Sequence, residues 1–174
     1  RYIGDWSSDV CSSDLGQKYE PLSVLIYEHM YNTTIEDFGC IQHDEYLFLG
    51  ASPDGINVES SSPRYGRMLE IKNIVNRDIT GIPKLEYWVQ MQLQMETCKL
   101  EECDFLETRF KEYEDESSYL NDEHDNYKGI IMYFSKEGKP TYMYAPLDLI
   151  ENPSKLERWE SKTRNRSEEH TSEL

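Results

Sequence analysis

Apolar residues recur at intervals of three and four positions in two long stretches of the chain, and this spacing predicts α-helices. The first stretch covers residues 16–31, where Glu20 lies near the first turn. The second begins at Pro83, a residue suited to the first turn of a helix, and continues to Cys98. A third helix is predicted over residues 147–162. The residues that set the helical spacing are Leu22, Leu25, Ile26 and Met30 in the first helix, and Leu85, Trp88, Val89, Gln92 and Met95 in the second.

Short runs of continuous or alternating apolar residues lie between these helices and predict β-strands. Residues 46–50 are predicted to form a buried strand, residues 52–55 form a tight turn, and residues 67–72 alternate in the manner of a strand. Further strands are expected at residues 56–59 and 104–113, and a hairpin at residues 129–134 and 141–145. The order of helix, strands, helix, strands and helix predicts a mixed α/β domain.

The two ends of the chain do not look like protein-coding sequence. Residues 166–174 back-translate into a string that looks like a common short-read sequencing adapter, and residues 7–15 back-translate into its reverse complement. Because such segments are left out of fold reasoning, we treat residues 16–165 as one domain that is truncated at its N-terminus. Residues 1–15 and 166–174 are then expected to be adapter-derived tails, and two flexible tails rich in Ser, Asp and Glu are the alternative.

Charge is distributed unevenly along the chain. The 174 residues include 34 acidic and 18 basic side chains, and the net charge is −16. Seven of the acids lie in residues 112–125, which contain neither Lys nor Arg and are predicted to form a solvated acidic insertion. The excess of negative charge argues against a protein that coats nucleic acid through bulk electrostatics, but it does not exclude a local basic groove.

The apolar runs do not indicate a membrane protein, and the cysteines do not indicate an oxidising compartment. No apolar stretch approaches the roughly 20 residues that a membrane span requires, so we expect a soluble protein. The three cysteines outside the two ends, Cys40, Cys98 and Cys103, form no C-x-x-C pair. Their number and spacing argue against a disulfide framework and against a four-cysteine metal site, and favour a reducing intracellular compartment.

Three residues of the predicted sheet form a set that suits phosphodiester hydrolysis. Asp54 lies in a Pro-Asp-Gly turn at a strand end, and Glu70 and Lys72 are two residues apart on a strand, so their side chains share one face. Carboxylates from neighbouring strands are hard oxygen ligands of the kind that Mg²⁺ prefers. A lysine beside the metal would orient or deprotonate water and offset charge on the phosphorane. A Pro-Asp-Gly turn or a Glu-Ile-Lys strand alone is usually structural, but together they predict a metal-dependent nuclease.

Motifs on both sides of this set follow one order along the chain. They are Gly16-Gln-Lys-Tyr-Glu20, residues 42–56 with their Ser-Pro-Asp-Gly-Ile end, Leu69-Glu-Ile-Lys72, and Tyr87-Trp-Val-Gln90. Asp54 with Glu70-Ile-Lys72 resembles the signature of the PD-(D/E)XK nuclease superfamily, and the whole set looks like the YqaJ-type viral recombinases, relatives of phage lambda exonuclease. The resemblance runs from Gly16 to about Phe110. It implies a restriction-endonuclease-like α/β core, in which helices flank a central mixed β-sheet.

The resemblance also implies an activity and partners. It implies a 5′-to-3′ exonuclease that uses Mg²⁺, with Mn²⁺ as a substitute, and that acts on double-stranded DNA ends in viral or phage-type recombination. The product would pass to a single-strand annealing protein, and the enzyme would form a homotrimer, in the cytoplasm or nucleus of an infected host cell if it is viral. Matched residue by residue, Asp54 and Glu70 would bind the metal, Lys72 would be the catalytic lysine, and Glu20 and Gln90 would be further active-site residues.

The residues alone leave several alternatives open. An endonuclease or nickase would use the same active site, and an inactive chain would bind DNA ends without cutting them. The sequence does not separate an RNA-degrading enzyme from a DNA exonuclease. Glu20 could instead be an acid that faces the positive end of its helix, and Gln90 a solvated helix residue. Four basic residues flank the set in sequence and are either DNA contacts or a solvated basic face: Arg64, Arg67, Arg77 and Lys84.

Overall fold

The computed structural model describes residues 6–124, 126–136 and 139–172, and the chain divides into two compact units at the junction of Tyr113 and Glu114. The first unit contains two helices and six strands within its described residues. They are α1 (Trp6–Tyr31), β1 (Ile35–Glu36), β2 (Ile41–Gln42), β3 (Gly50–Ala51), β4 (Gly55–Asn57), β5 (Met68–Asn73), α2 (Leu85–Cys98) and β6 (Cys103–Thr108). Four strands form one sheet in the order β1-β4-β5-β6, and β2 pairs separately with β3.

The four-stranded sheet is mixed, because β5 runs antiparallel to β4 and parallel to β6. On one face α1 packs against the sheet, where Tyr27 joins Leu69 and Ile71 of β5 in the apolar core. On the opposite face α2 lies over β5, where Gln90 reaches Glu70. The predicted mixed α/β fold, a central sheet flanked by helices, is therefore confirmed.

Both helices predicted in this unit are present, with differences in extent and orientation. The first ends at Tyr31 as expected but begins earlier, at Trp6, and the second runs from Leu85 to Cys98. The apolar residues that predicted α2 do not face the sheet, since Leu85 and Trp88 are 76% and 50% exposed. The residues that α2 buries are Met91, Gln94 and Thr97. Among the described residues, no helix is long and apolar enough to cross a membrane.

The buried strand predicted at residues 46–50 is wrong. Tyr46 and Phe48 are 52% and 84% exposed, and they lie in the connection between β2 and β3. Side chains hold this connection as a turn, because His43 Nδ1 accepts the backbone N–H of Tyr46 and Gln42 Nε2 donates to the carbonyl of Leu47. These side-chain bonds to the backbone replace the ladder bonds that a strand would make.

The other strands of the first unit differ from prediction mainly in length. The strand expected at residues 56–59 is β4, which ends at Asn57, and the one expected at residues 67–72 is β5. The last, expected to continue to residue 113, is β6 and ends at Thr108. The strand β5 is therefore the element that the alternating pattern located best.

The second unit contains a hairpin and three helices within its described residues, the first of them in the acidic segment. Its elements are α3 (Glu116–Asn121), β7 (Ile131–Lys136), β8 (Lys139–Tyr144), α4 (Leu147–Ile150) and α5 (Pro153–Ser172). The hairpin predicted at residues 129–134 and 141–145 is confirmed, and its strands extend to Lys136 and from Lys139, while residues 137–138 lie outside the described residues. The expected acidic loop instead contains α3, which Asp115 caps by accepting the N–H of Ser118. The single helix predicted over residues 147–162 is divided, because Asn152 and Pro153 start α5 with an N-cap and an N1 proline.

Candidate active site

Glu70 lies at the centre of the candidate site. Its side chain is fully buried on the α2 face of β5, and its Oε1 accepts hydrogen bonds from Lys72 Nζ and, at 2.9 Å, from Gln90 Nε2. The other oxygen, Oε2, is also buried and has no hydrogen-bond partner within the described residues. Since a buried acceptor without a partner is costly, this oxygen marks a position where a ligand would bind favourably.

Asp54 joins Glu70 through the backbone of β5. Asp54 lies in the connection between β3 and β4, and its Oδ2 accepts the N–H of Ile71 at 2.6 Å. The neighbouring Gly55 permits the close packing of Ile35 from β1, since a Cβ at residue 55 would come within 2.3 Å of the Ile35 side chain. Burial raises the pKa of Asp54 to about 7, and the negative charges of Glu70 and Glu20 contribute, against the opposing N–H of Ile71 and the charge of Lys72.

Glu20 approaches the same group from α1. Its side chain is partly buried, and burial raises its pKa, an effect that the charge of Lys72 opposes and those of Asp37 and Glu70 reinforce. Glu20 therefore interacts electrostatically with Lys72 and Glu70, the residues whose charges also act on Asp54. Three carboxylates thus lie within electrostatic range of one lysine, a distribution that a divalent cation would balance.

Lys72 is held between a carboxylate and an aromatic ring. Its Nζ pairs with Glu70 and lies 5.1 Å from the centre of the Tyr87 ring, while 24% of its side chain is exposed. The predictions gave Tyr87 no role, although it is part of the quoted Tyr-Trp-Val-Gln motif. The available signal was its position three residues before Gln90, which places both side chains on one face of a helix. Tyr87 and Gln90 together fix the amine and the carboxylate of the candidate site from α2.

The four predicted DNA contacts lie in different surroundings. Arg64 and Arg67 precede β5 and both pair with Asp104, at 2.5 and 3.1 Å. Arg77 pairs with the buried carboxylate of Glu107, and Lys84 is largely exposed. All four cations therefore pair with carboxylates of the chain, Lys84 most loosely, with Glu86 at 4.0 Å, and DNA contact by these residues stays a prediction.

The donor set suits a hydrated cation better than a fully protein-bound one. Within the described residues no three His, Cys, Asp or Glu side chains are grouped closely enough to hold a metal ion by themselves. Asp54 and the open Oε2 of Glu70 offer two carboxylates, which is the usual contribution of a protein to Mg²⁺, because that ion keeps several of its waters. The residues therefore fit a divalent cation of this kind.

Comparisons with known proteins found a matching family, a relative and a similar solved structure. Residues 7–101 match the model of the YqaJ-like viral recombinase domain. An uncharacterised protein of Acanthamoeba polyphaga mimivirus is 33% identical over 119 residues, which are 62% of this chain and only 22% of that relative. A crystal structure of LHK-Exo in complex with dAMP is similar with a TM-score of 0.47 and 19% identity, over all of this chain and 78% of the other.

The family match covers the part of the chain that contains every residue of the predicted site. The matched range includes Glu20, Asp54, Glu70, Lys72 and Gln90. It begins earlier than the predicted resemblance, which started at residue 16. Because the match extends over more than half of the sequence, this chain belongs to the YqaJ-like viral recombinase domain family.

Proposed function

We propose that this chain is a metal-dependent nuclease that hydrolyses DNA phosphodiester bonds, as a 5′-to-3′ exonuclease on the ends of linear duplex DNA. The observation that carries the proposal is the buried Glu70 carboxylate, whose Oε1 binds Lys72 and Gln90 while Oε2 has no partner among the described residues. Membership of the recombinase family supports a nuclease. Since the chain spans about a fifth of the length of its mimivirus relative, the activity of a longer protein is part of the proposal.

Asp54 and Glu70 would hold the metal, Mg²⁺ or in its place Mn²⁺. The bound cation supplies Lewis-acid polarisation of the scissile phosphate. The bond from Ile71 N–H fixes the Asp54 carboxylate beside β5, so this ligand is oriented before substrate arrives. Preorganisation of this kind lowers the cost of assembling charged groups around a phosphate.

Lys72 would act directly on the reacting groups. Its ammonium lies beside Glu70 and is partly exposed, so it can reach a bound phosphate from the side of the metal ligands. There it would orient the attacking water and offset the negative charge that develops on phosphorus. The Gln90 side chain donates a hydrogen bond to Oε1 of Glu70 and so fixes this carboxylate, and Glu20 adds negative charge near Lys72.

The finer parts of the proposal follow from the family resemblance. They are the 5′-to-3′ direction, the preference for DNA over RNA, delivery of the single strand to an annealing protein, and a homotrimeric assembly. The experiment below tests direction and substrate class first.

The test is Mg²⁺-dependent degradation of linear and closed-circular duplex DNA by the full chain. Linear DNA carries a fluorophore at either the 5′ or the 3′ end of one strand, and a linear RNA duplex serves as the alternative substrate. We expect loss of linear DNA with early release of the 5′ label, and no loss in EDTA. Nicking of circles would instead indicate an endonuclease, and preferential RNA loss an RNA-degrading enzyme.

Two variants make the assay specific for the candidate site. Glu70→Gln removes the central charge and should abolish cleavage, with circular dichroism to verify that it is folded. Glu96→Gln removes a charge from the exposed surface of α2 and should cut at the wild-type rate. Equal activity of the wild type and Glu70→Gln would refute the proposed site, and a folded wild-type chain that cuts none of the substrates would refute the proposed function.

A further inference from the structure

Glu107 is a buried carboxylate on the same face of the sheet as the candidate site. It lies in β6 directly opposite Lys72 of β5 in the parallel register, and its side chain is 1% exposed. Paired residues of neighbouring strands point to the same face, so Glu107 lies on the face that carries Glu70 and Lys72. Lys72 nevertheless pairs with Glu70, so Glu107 is not its ion-pair partner.

The carboxylate of Glu107 binds the segment that joins β5 to α2. Its Oε2 accepts the backbone N–H groups of Thr80 and Gly81, at 3.0 and 2.9 Å, and its Oε1 pairs with the guanidinium of Arg77. Two successive N–H groups that converge on one anion form a backbone nest. Gly81 has a φ of +66°, a left-handed conformation that glycine adopts without strain. The backbone of the segment is therefore arranged to bind the Glu107 carboxylate through both N–H groups.

Apolar packing holds mainly the start of this segment, residues 74–84, where Ile74 is 7% exposed. The segment contains neither helix nor strand. Val75, Ile79 and Ile82 are 62%, 48% and 73% exposed. One backbone bond, from Ile74 N–H to the carbonyl of Thr108, ties its start to β6. The contacts of Glu107 attach the middle of the segment to the sheet, just before α2 begins.

The segment leads directly into α2, the helix that carries Tyr87 and Gln90. Immediately after it, Tyr87 lies against Lys72 and Gln90 donates to Glu70. We propose that Glu107 is a positioning residue, which anchors residues 77–81 so that α2 holds Tyr87 and Gln90 against the two charged residues. This inference rests on the proposed nuclease function for its catalytic consequence. It adds a residue that touches neither metal ligands nor substrate.

The first test compares two variants of similar size. Glu107→Gln keeps an oxygen that accepts the N–H groups of Thr80 and Gly81, whereas Glu107→Met fills the same space without an acceptor of comparable strength. We expect Glu107→Met to lower kcat on linear duplex DNA by about 10-fold to 100-fold, with a small change in KM, because a shift of about 1 Å in a catalytic group can cost about 100-fold. Glu107→Gln should retain most of kcat.

A control separates positioning from a general loss of stability. Tyr27→Phe removes a buried hydrogen bond to Asp104 on the opposite, α1 face of the sheet. It should lower the melting temperature and leave kcat unchanged at a temperature where all variants are folded. Equal kcat for Glu107→Met and the wild type, or an equal loss of kcat in Tyr27→Phe, would overturn the proposal.

Amide hydrogen exchange tests the same inference without reference to cleavage. In the wild type, the amides of Thr80 and Gly81 and those of the second turn of α2, from Trp88 on, should be protected. Glu107→Met should accelerate their exchange, while Glu107→Gln and Tyr27→Phe should not. Unchanged exchange in Glu107→Met would overturn the proposal. If the wild type cuts no DNA, the proposed function fails, and the exchange data still decide whether Glu107 anchors α2.

A variant in the segment itself covers the case in which Glu107→Met does not fold. Gly81→Ala leaves the sheet intact and strains the left-handed backbone that presents the second N–H group. We expect the same direction of change, with a smaller loss of kcat and faster exchange at Thr80 and in α2. Wild-type exchange and kcat in Gly81→Ala would argue against the anchoring role.

Discussion

The two faces of β5 differ sharply although they alternate along six residues. On the α1 face, Leu69 and Ile71 pack with Tyr27 in an apolar core. On the α2 face, Glu70 is equally inaccessible to solvent but is bonded to Lys72 and Gln90. Burial therefore serves stability on one face and electrostatics on the other, where it strengthens the interactions of charged groups. Substitutions of neighbouring residues should separate these two roles.

The largest effect is expected for Lys72→Ala on the α2 face. Loss of an ammonium that orients water and offsets charge should lower kcat by about 100-fold or more. The fold should persist, because the side chain of Lys72 is partly exposed and α1 packs on the other face. Single-turnover cleavage and circular dichroism measure the two quantities. An unfolded Lys72→Ala chain would indicate that the charged face also carries stability.

The adjacent substitution Leu69→Ala should do the reverse. Leu69 is fully buried in the core under α1, and removal of such a side chain typically costs about 2–5 kcal/mol in the free energy of unfolding. Urea denaturation would measure this loss. At low temperature, cleavage per folded molecule should stay close to that of the wild type. A large loss of kcat in folded Leu69→Ala would show that the two faces are not separable.

Local patterns predicted the arrangement of this strand because its period of two is a property of the backbone. The alternation at residues 67–72 was sufficient to place Glu70 and Lys72 on one face. Local pattern failed at residues 46–50, where an apolar run lies in a turn. There the bonds made by the His43 and Gln42 side chains outweigh the apolar pattern.

A local pattern could not predict the orientation of a helix or the contacts between residues that are distant in sequence. The spacing of apolar residues predicted α2, but its outer side carries Leu85 and Trp88, because the sheet face beneath it is polar around Glu70. Glu107 was missed since its backbone donors, Thr80 and Gly81, lie 27 and 26 residues earlier. Such contacts depend on the parallel pairing of β5 with β6, which no single segment encodes.

A divalent cation should stabilise the α2 face selectively. Asp54 and the open oxygen of Glu70 would bind Mg²⁺ in the folded state only, and a ligand at 100 times its Kd adds about 2.7 kcal/mol to the free energy of unfolding. Thermal unfolding with Mg²⁺ and with EDTA should show a higher melting temperature in Mg²⁺.

The rise in melting temperature with Mg²⁺ should be lost in Asp54→Asn, and the surface variant Glu96→Gln is the matched control. If Mg²⁺ raises the melting temperature of the wild type and of Asp54→Asn by the same amount, the cation binds elsewhere. In that case the α2 face of β5 would lack the cation site that distinguishes it from the α1 face.

The smallest effect concerns an ion-pair cluster on the α1 face, around Asp104. Burial raises the pKa of Asp104, but hydrogen bonds from Tyr27, Arg64 and Arg67 outweigh it and hold this pKa below its usual value. A carboxylate with a lowered pKa stabilises the fold above its unfolded-state pKa, and this contribution is lost as pH falls through the folded-state pKa. Acid should therefore weaken this cluster below about pH 4.

Tyr27→Phe tests this dependence, because it removes one donor from the charged Asp104 and lets its pKa return toward the usual value. We expect a loss of about 1 kcal/mol in the free energy of unfolding at pH 7. The loss should shrink as pH falls below about 4 and through the lowered pKa of Asp104, since the carboxyl is then protonated in both proteins and its charge no longer distinguishes them. The control is Tyr31→Phe, which keeps the ring that lies 3.7 Å from the Arg64 guanidinium. A difference between Tyr27→Phe and wild type that stays constant as pH falls from 7 through the pKa of Asp104 would show that the Tyr27 hydroxyl does not act through the charge of Asp104.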